Sequence, residues 1–115
     1  MDTRRAEKLN NLLREQISNI LDRDVEFPEG ALITVTRVHR SQDGLYATVF
    51  FTVLNGSVDA ALETVKKNLY AVQQSLNKIM RIRPVPKIRF VADEDEMRRE
   101  SVERSLAEMK RKGEI

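Results

Sequence analysis

The chain of 115 residues has no cysteine. That excludes a disulfide framework, a thiolate metal site and a cysteine nucleophile. It has a single histidine, His39, too few for the usual histidine-rich metal centres. Tryptophan is absent and aromatics are only 5%. No apolar run approaches the roughly 20 residues that a membrane span needs. The first ten residues, MDTRRAEKLN, carry charges with no apolar segment behind them, so they do not read as a secretory signal. What is present is 41% hydrophobic and 33% charged residues. The expectation is one soluble, cytoplasmic domain with a single core and a highly polar surface.

The net charge of +2 hides a strong segregation. Residues 57–92 carry seven basic and two acidic side chains, whereas residues 93–115 carry six and eight. Between Thr64 and Ala92 there is no acid at all, while Lys66, Lys67, Lys78, Arg81, Arg83, Lys87 and Arg89 lie there. A patch of one sign attracts a polyanion whatever the total charge. The same composition is also that of a solvated, solubilising face.

Leu9, Leu12, Leu13, Ile17, Ile20 and Leu21 recur at three- and four-residue steps, which predicts an amphipathic helix from Thr3 to about Leu21. Pro28 and Gly30 mark a loop before a β-branched strand. Ile33, Val35 and Val38 break strict alternation, which predicts a bulge near Thr36–Arg37. Asp43-Gly44 is a hairpin signal, and Leu45–Leu54 reads as a central strand with an aromatic on each face. Ser57 is placed to cap a long helix. Its apolar stripe is Val58, Leu62, Val65, Leu69, Val72, Leu76 and Ile79. The opposite face is basic and amide-rich, with Tyr70 in it. Arg83-Pro84-Val85-Pro86 stops that helix, and Lys87–Val91 forms a third strand. The result is a two-layer α+β domain over residues 1–92, followed by a charged, helix-prone tail over residues 93–115.

This order resembles a type II KH-like domain, in which α-β-β-α-α-β elements form a three-stranded sheet. More specifically, the chain is similar to the bacterial ribosome-binding factor A family. The resemblance runs from about Arg4 to Asp93. It rests on Ile33-Thr34-Val35-Thr36-Arg37-Val38 with Ser41 and Asp43 beyond, on Ala47, Val49 and Leu54, and above all on the run from Met80 to Phe90. The family has a kink bearing glycine between two central helices, where this chain has Asn68-Leu69-Tyr70 and no glycine. Tyr70 there either stacks on a base or covers the bend.

The resemblance implies a non-catalytic factor without a cofactor or metal. It would bind the immature small (30S) ribosomal subunit and its 16S rRNA, support 5′-end processing, and depart with help from a release GTPase. It also implies a cytoplasmic monomer. Within that reading the candidate RNA-binding residues are Lys66, Lys67, Tyr70, Lys78, Arg81, Arg83, Lys87 and Arg89, with Arg4, Arg5 and Lys8 extending the surface. Lys and Arg side chains displace counterions condensed on phosphates, so such binding is salt-dependent.

Other constellations have plainer readings. His39, Ser41 and Asp43 evoke a triad, but nothing supplies an oxyanion hole, and a hairpin is the simpler account. Asp93-Glu94-Asp95-Glu96 lacks the glycine of a calcium loop and suits a helix start. Asn55-Gly56-Ser57 reads as a turn rather than a glycosylation site. Met97, Leu106 and Met109 read as a packing stripe. The competing functional classes are a protein-interaction module working through a sheet edge or the tail helix, and a small enzyme.

Overall fold

The computed structural model describes residues 3–111. Helix α1 spans Thr3–Asp24, strand β1 Leu32–Arg40, strand β2 Tyr46–Leu54, helix α2 Val58–Ile79, strand β3 Lys87–Ala92 and helix α3 Glu94–Arg111. The sheet order is β1-β2-β3, with β2 central, antiparallel to β1 and parallel to β3. Helices α1 and α2 cover one face of the sheet, giving the two-layer α+β arrangement that the alternation of patterns predicts.

Alternation along β2 sets the layers. Ala47, Val49, Phe51 and Val53 point inward and are buried. Leu13, Ile17 and Ile20 of α1 and Val72 and Leu76 of α2 share one cluster with Ala47 and Val49, while Ala61 of α2 packs with Phe51 and Val53. Full burial of such side chains stabilises by about 1.5–3 kcal/mol each relative to exposure. Phe51 and Phe90 add an edge-to-face contact, 6.4 Å between ring centroids. Helix α1 runs three residues beyond Leu21, because no breaker intervenes before Pro28. The Val25 N–H still donates to the Leu21 carbonyl at 3.1 Å, and Val25 is buried.

The expected bulge is present. Val35 pairs with Phe51 and Arg37 with Phe50, which leaves Thr36 without a partner across the ladder. Its hydroxyl donates to the Asp93 carboxylate at 2.7 Å and lies 3.2 Å from the Phe50 carbonyl. The hairpin closes at Asp43-Gly44, and Gly44 takes a φ of 77° that glycine adopts without strain. The strand begins at Tyr46, one residue later than the pattern suggests, because Leu45 lies in the turn and its carbonyl accepts the Lys87 N–H at 2.9 Å. Asn55 at φ 58° makes the second turn, and the Ser57 hydroxyl caps α2 by accepting the Ala60 N–H at 3.0 Å. The Arg83–Pro84 peptide is cis.

One helix stands where the family resemblance implies two in series. Helix α2 is continuous through Asn68-Leu69-Tyr70. Asn68 donates its amide back to the Thr64 carbonyl at 2.8 Å, and Thr64 its hydroxyl to the Ala60 carbonyl at 2.9 Å, so both polar side chains are satisfied within the helix.

Asp93, only 8% exposed, ends β3 and starts α3. Its N–H donates to the Phe51 carbonyl at 2.7 Å, and its carboxylate accepts the Glu96 N–H at 3.2 Å as a cap. Helix α3 buries no residue. The expectation that its apolar stripe packs holds for Met97, which lies against the Phe51–Val53–Ala61 cluster. Val102, Leu106 and Met109 are instead exposed, because the face turned to the sheet is Glu100, Glu103, Arg104 and Ala107, opposite Leu32, Thr34, Thr52 and Leu54. Residues 112–115 of the expected tail lie outside the described residues.

Candidate nucleic-acid interface

The topology sorts charge to the two ends of the molecule. Strands β2 and β3 start together, with Tyr46 opposite Lys87, beside the end of β1. The start of α1 lies there too, since the Arg40 N–H donates to the Asn10 side-chain carbonyl at 3.1 Å. So does the last part of α2, through Gln73. This hairpin end therefore collects Arg4, Arg5 and Lys8 from α1, Arg40 from β1, Lys78 from α2, Arg81 and Arg83 from the following loop, and Lys87 from β3. Among the described residues its acids are Glu7 and Asp43. The opposite end holds Asp22, Asp24, Glu26, Glu29, Asp59 and the Asp93–Glu96 run.

Gln73 fixes one side of this surface. Its Nε2 donates to the Pro86 carbonyl and to the Asn77 side-chain carbonyl, both at 3.0 Å, while its Oε1 accepts the Ile88 N–H at 2.9 Å. The two backbone contacts bracket Lys87. A groove results between α2 and β3, lined by Tyr70, Gln73, Gln74, Asn77, Val85 and Lys87. Tyr70 is 78% exposed beside it. Lys66, Tyr70 and Gln74 follow one another at four-residue steps along this flank of the helix.

Of the anticipated residues, Lys67 and Arg89 lie outside the cluster, and Arg83 is within it but partly committed to its own loop. Lys67 sits 3.7 Å from Glu63 on the solvent side of α2. Arg83 turns back on its own loop, its Nη1 donating to the carbonyls of Met80 at 2.8 Å and Ile82 at 2.7 Å. Arg89 lies on the outer face of the sheet, where its Nε donates to the Thr48 hydroxyl at 3.0 Å.

Three basic side chains near the interface are not among the residues that the sequence assigns to RNA binding. Arg40 belongs to the hairpin end, and Arg37 and His39 stand on the outer sheet face beside Thr48, Phe50, Arg89 and Val91. They sit in a stretch whose net charge is negative, so a segment count passes over them. The bulge is the signal that finds Arg37, because it places that side chain and Phe50 on the same outer face. The Arg37 guanidinium carbon lies 3.7 Å from the Phe50 ring centroid, a cation–π contact, and its Nε is 3.6 Å from Asp93.

The triad-like residues form a turn. The Ser41 hydroxyl donates to Asp43 at 2.7 Å and accepts the Tyr46 N–H at 3.0 Å, and Asp43 also accepts the Leu45 N–H at 3.0 Å. These contacts, the Ser41 hydroxyl foremost, hold the Asp43 carboxyl below its ordinary value. His39 has no part in them. Burial pushes the Asp93 carboxyl upward, but the Thr36 hydroxyl, the Glu96 N–H and Arg37 together outweigh it and hold the group below the usual range. Among the described residues no group of three or more acids or histidines is placed to hold a metal, and no helix is long and apolar enough to cross a membrane.

Comparison with known proteins gives a consistent result. The model of the family described as ribosome-binding factor A matches residues 5–106. A ribosome-binding factor A of Protochlamydia amoebophila is 38% identical over 100 residues, which is 82% of this chain and 74% of that protein. The crystal structure of ribosome-binding factor A from Thermus thermophilus shares the fold, with a TM-score of 0.62 at 21% identity over 76% of this chain and 94% of that one. A homology model of the Thermus factor, fitted into the cryo-electron microscopy map of its complex with the 30S subunit, gives a TM-score of 0.64 at 22% identity. It covers 75% of this chain and 92% of that one.

Proposed function

The chain belongs to the ribosome-binding factor A family, and from that premise we propose that it binds the immature small ribosomal subunit through 16S rRNA, with its cationic hairpin end as the contact surface. The observation that carries this reading is the convergence of Lys78, Arg81, Arg83 and Lys87 with Arg4, Arg5 and Lys8 at one end, while most of the described acids lie elsewhere, nine of them at the other end. Such polarity orients the protein towards a polyanion before contact. Double-helical rRNA hides its bases and is met through phosphates, shape and 2′-hydroxyls, which a rigid helix end beside a strand edge suits. Tyr70 in the α2–β3 groove offers a flat face to an unpaired base at the margin. Arg83, an exposed residue, contributes as a partly committed guanidinium.

The role is that of a binding factor in the cytoplasm. It acts as a monomer, without catalysis, supports maturation of the 5′ end of 16S rRNA, and leaves the subunit with the help of a GTPase. Gradient sedimentation of a lysate tests this. The chain is expected with free small subunits and not with translating ribosomes, and its depletion is expected to accumulate unprocessed small-subunit RNA. Migration at the top of the gradient with normal rRNA processing would refute the reading.

One observation favours a second class. Val102, Leu106 and Met109 form an exposed apolar stripe on α3, which suits a protein partner. That reading predicts an association indifferent to ribonuclease, whereas the first predicts one that ribonuclease abolishes.

A further inference from the structure

The outer face of the sheet is built differently from the hairpin end. Among the described residues no helix covers it along the half nearest the hairpin, and its outward side chains there include Arg37, His39, Tyr46, Phe50, Lys87 and Arg89. They form registered rows across the strands: His39 opposite Thr48 opposite Arg89, Arg37 opposite Phe50 opposite Val91, and Tyr46 opposite Lys87. Among the described residues no acid lies on this half of the face. The first is Asp93 at its border, beyond which α3 presents Glu100 and Glu103 over the far half.

Two flat surfaces stand on this ground. Tyr46 is half exposed at the start of β2. Four residues along, about 13 Å away at the usual rise of a strand, Phe50 carries the Arg37 guanidinium against its ring at 3.7 Å. That guanidinium is held on one side by the ring and at its edge by Asp93, while its side chain remains 60% exposed. It is thus a planar cation already fixed in place, the form in which arginine stacks on a nucleobase. Arg89 and Lys87 flank these planes as phosphate partners, Arg89 anchored by the Thr48 hydroxyl.

We propose that this half-sheet is a second RNA surface, which takes an unpaired rRNA segment by stacking bases on Tyr46 and on the Arg37–Phe50 pair. Planar faces alternating with cations, on an open sheet and free of carboxylates, match the chemistry of a single strand, whose bases are exposed. A duplex buries those bases and meets only the charges. The acidic border at Asp93 and α3 ends the track, so the strand runs from the hairpin end towards the middle of the sheet. The proposal rests on the reading above for its ligand, rRNA, and shares Lys87 with the cationic end, but its stacking residues Arg37 and Tyr46 are not part of that end.

The absence of tryptophan makes the test direct, since tyrosine emission is unmasked. In a Tyr70→Phe background Tyr46 is the only emitter. Titration with a short unstructured oligoribonucleotide is expected to quench that emission, and a duplex of equal length is not. By fluorescence anisotropy of an end-labelled oligonucleotide, Tyr46→Ala and Arg37→Lys are each expected to weaken binding roughly tenfold, by the usual scale of base stacking, while Tyr46→Phe retains it. Arg37→Lys keeps the charge and removes the plane, so it separates stacking from electrostatics. Far-ultraviolet circular dichroism checks that each variant folds. Lys78→Ala with Arg81→Ala and Arg83→Ala, which addresses the cationic end, is expected to leave the quenching in place. Unchanged Tyr46 emission at saturating oligonucleotide, or Arg37→Lys and Tyr46→Ala variants that bind like the parent, would overturn the proposal.

Discussion

Gln73 is the residue on which the geometry of the α2–β3 groove turns, so Gln73→Leu probes structure and site together. The substitution keeps side-chain volume and removes three polar contacts. Two of them are to the backbone on either side of Lys87: the donation to the Pro86 carbonyl at 3.0 Å and the acceptance from Ile88 N–H at 2.9 Å. A net hydrogen bond is worth about 0.5–1.5 kcal/mol, and a buried donor left unmade costs about 1–3 kcal/mol. The site is half-buried, so water recovers part of the loss. The expected destabilisation is about 2 kcal/mol, which lowers the melting temperature by roughly 6–12 °C for a domain of this size. Urea unfolding followed by circular dichroism measures it. Gln73→Glu is the sharper companion. At neutral pH it places a carboxylate against the Pro86 carbonyl and is expected to destabilise at least as much. Acidification protonates the new carboxyl and restores a donor, so the deficit is expected to narrow as pH falls. A Gln73→Leu protein as stable as the parent within about 0.5 kcal/mol would refute the claim that this amide clamps β3 to α2.

Two further perturbations follow. Asp93→Asn removes a buried charge whose folded-state pKa lies below its ordinary value, so its contribution is complete above the unfolded pKa of about 4 and is lost as pH falls through the lower folded value. The variant is expected to be less stable by about 1–2 kcal/mol at neutral pH, with the gap closing under acid; a gap independent of pH would contradict the role given to the charge. Gly44→Ala forces a side chain onto a backbone at φ 77° and against the Arg40 guanidinium, and is expected to cost about 1–2 kcal/mol in chemical denaturation. Unaltered stability there would mean that the turn relaxes freely.

The fold was legible because its signals are local. The stripes of α1 and α2, the Asp43-Gly44 turn and the Ser57 cap each lie within a few residues, and the bulge shows in the broken alternation of Ile33, Val35 and Val38. The stripe from Val58 to Ile79 reads as one long helix, and only the family resemblance implies a break at Asn68-Leu69-Tyr70, where Thr64 and Asn68 instead satisfy their polar groups inside the helix. The exposure of Val102, Leu106 and Met109 was not legible, since periodicity identifies a stripe but not which face meets the sheet. For the site, the acid-free window from Thr64 to Ala92 names most of the cations, but their grouping depends on α1 and α2 running in opposite directions and on β3 starting beside β2. That arrangement brings Arg40 to the cluster, sends Arg89 to the other face and leaves Lys67 beside Glu63.

The central claim is that the cationic hairpin end holds rRNA. Equilibrium binding to purified small subunits across a salt series tests it most directly, comparing the parent with the protein carrying Lys78→Ala, Arg81→Ala and Arg83→Ala. If about four phosphates are contacted, the parent's log K falls against log salt with a slope of roughly −3 to −4, and the variant binds more weakly with a slope flatter by about 2–3. A folded variant with the parent's affinity and salt slope would contradict the account.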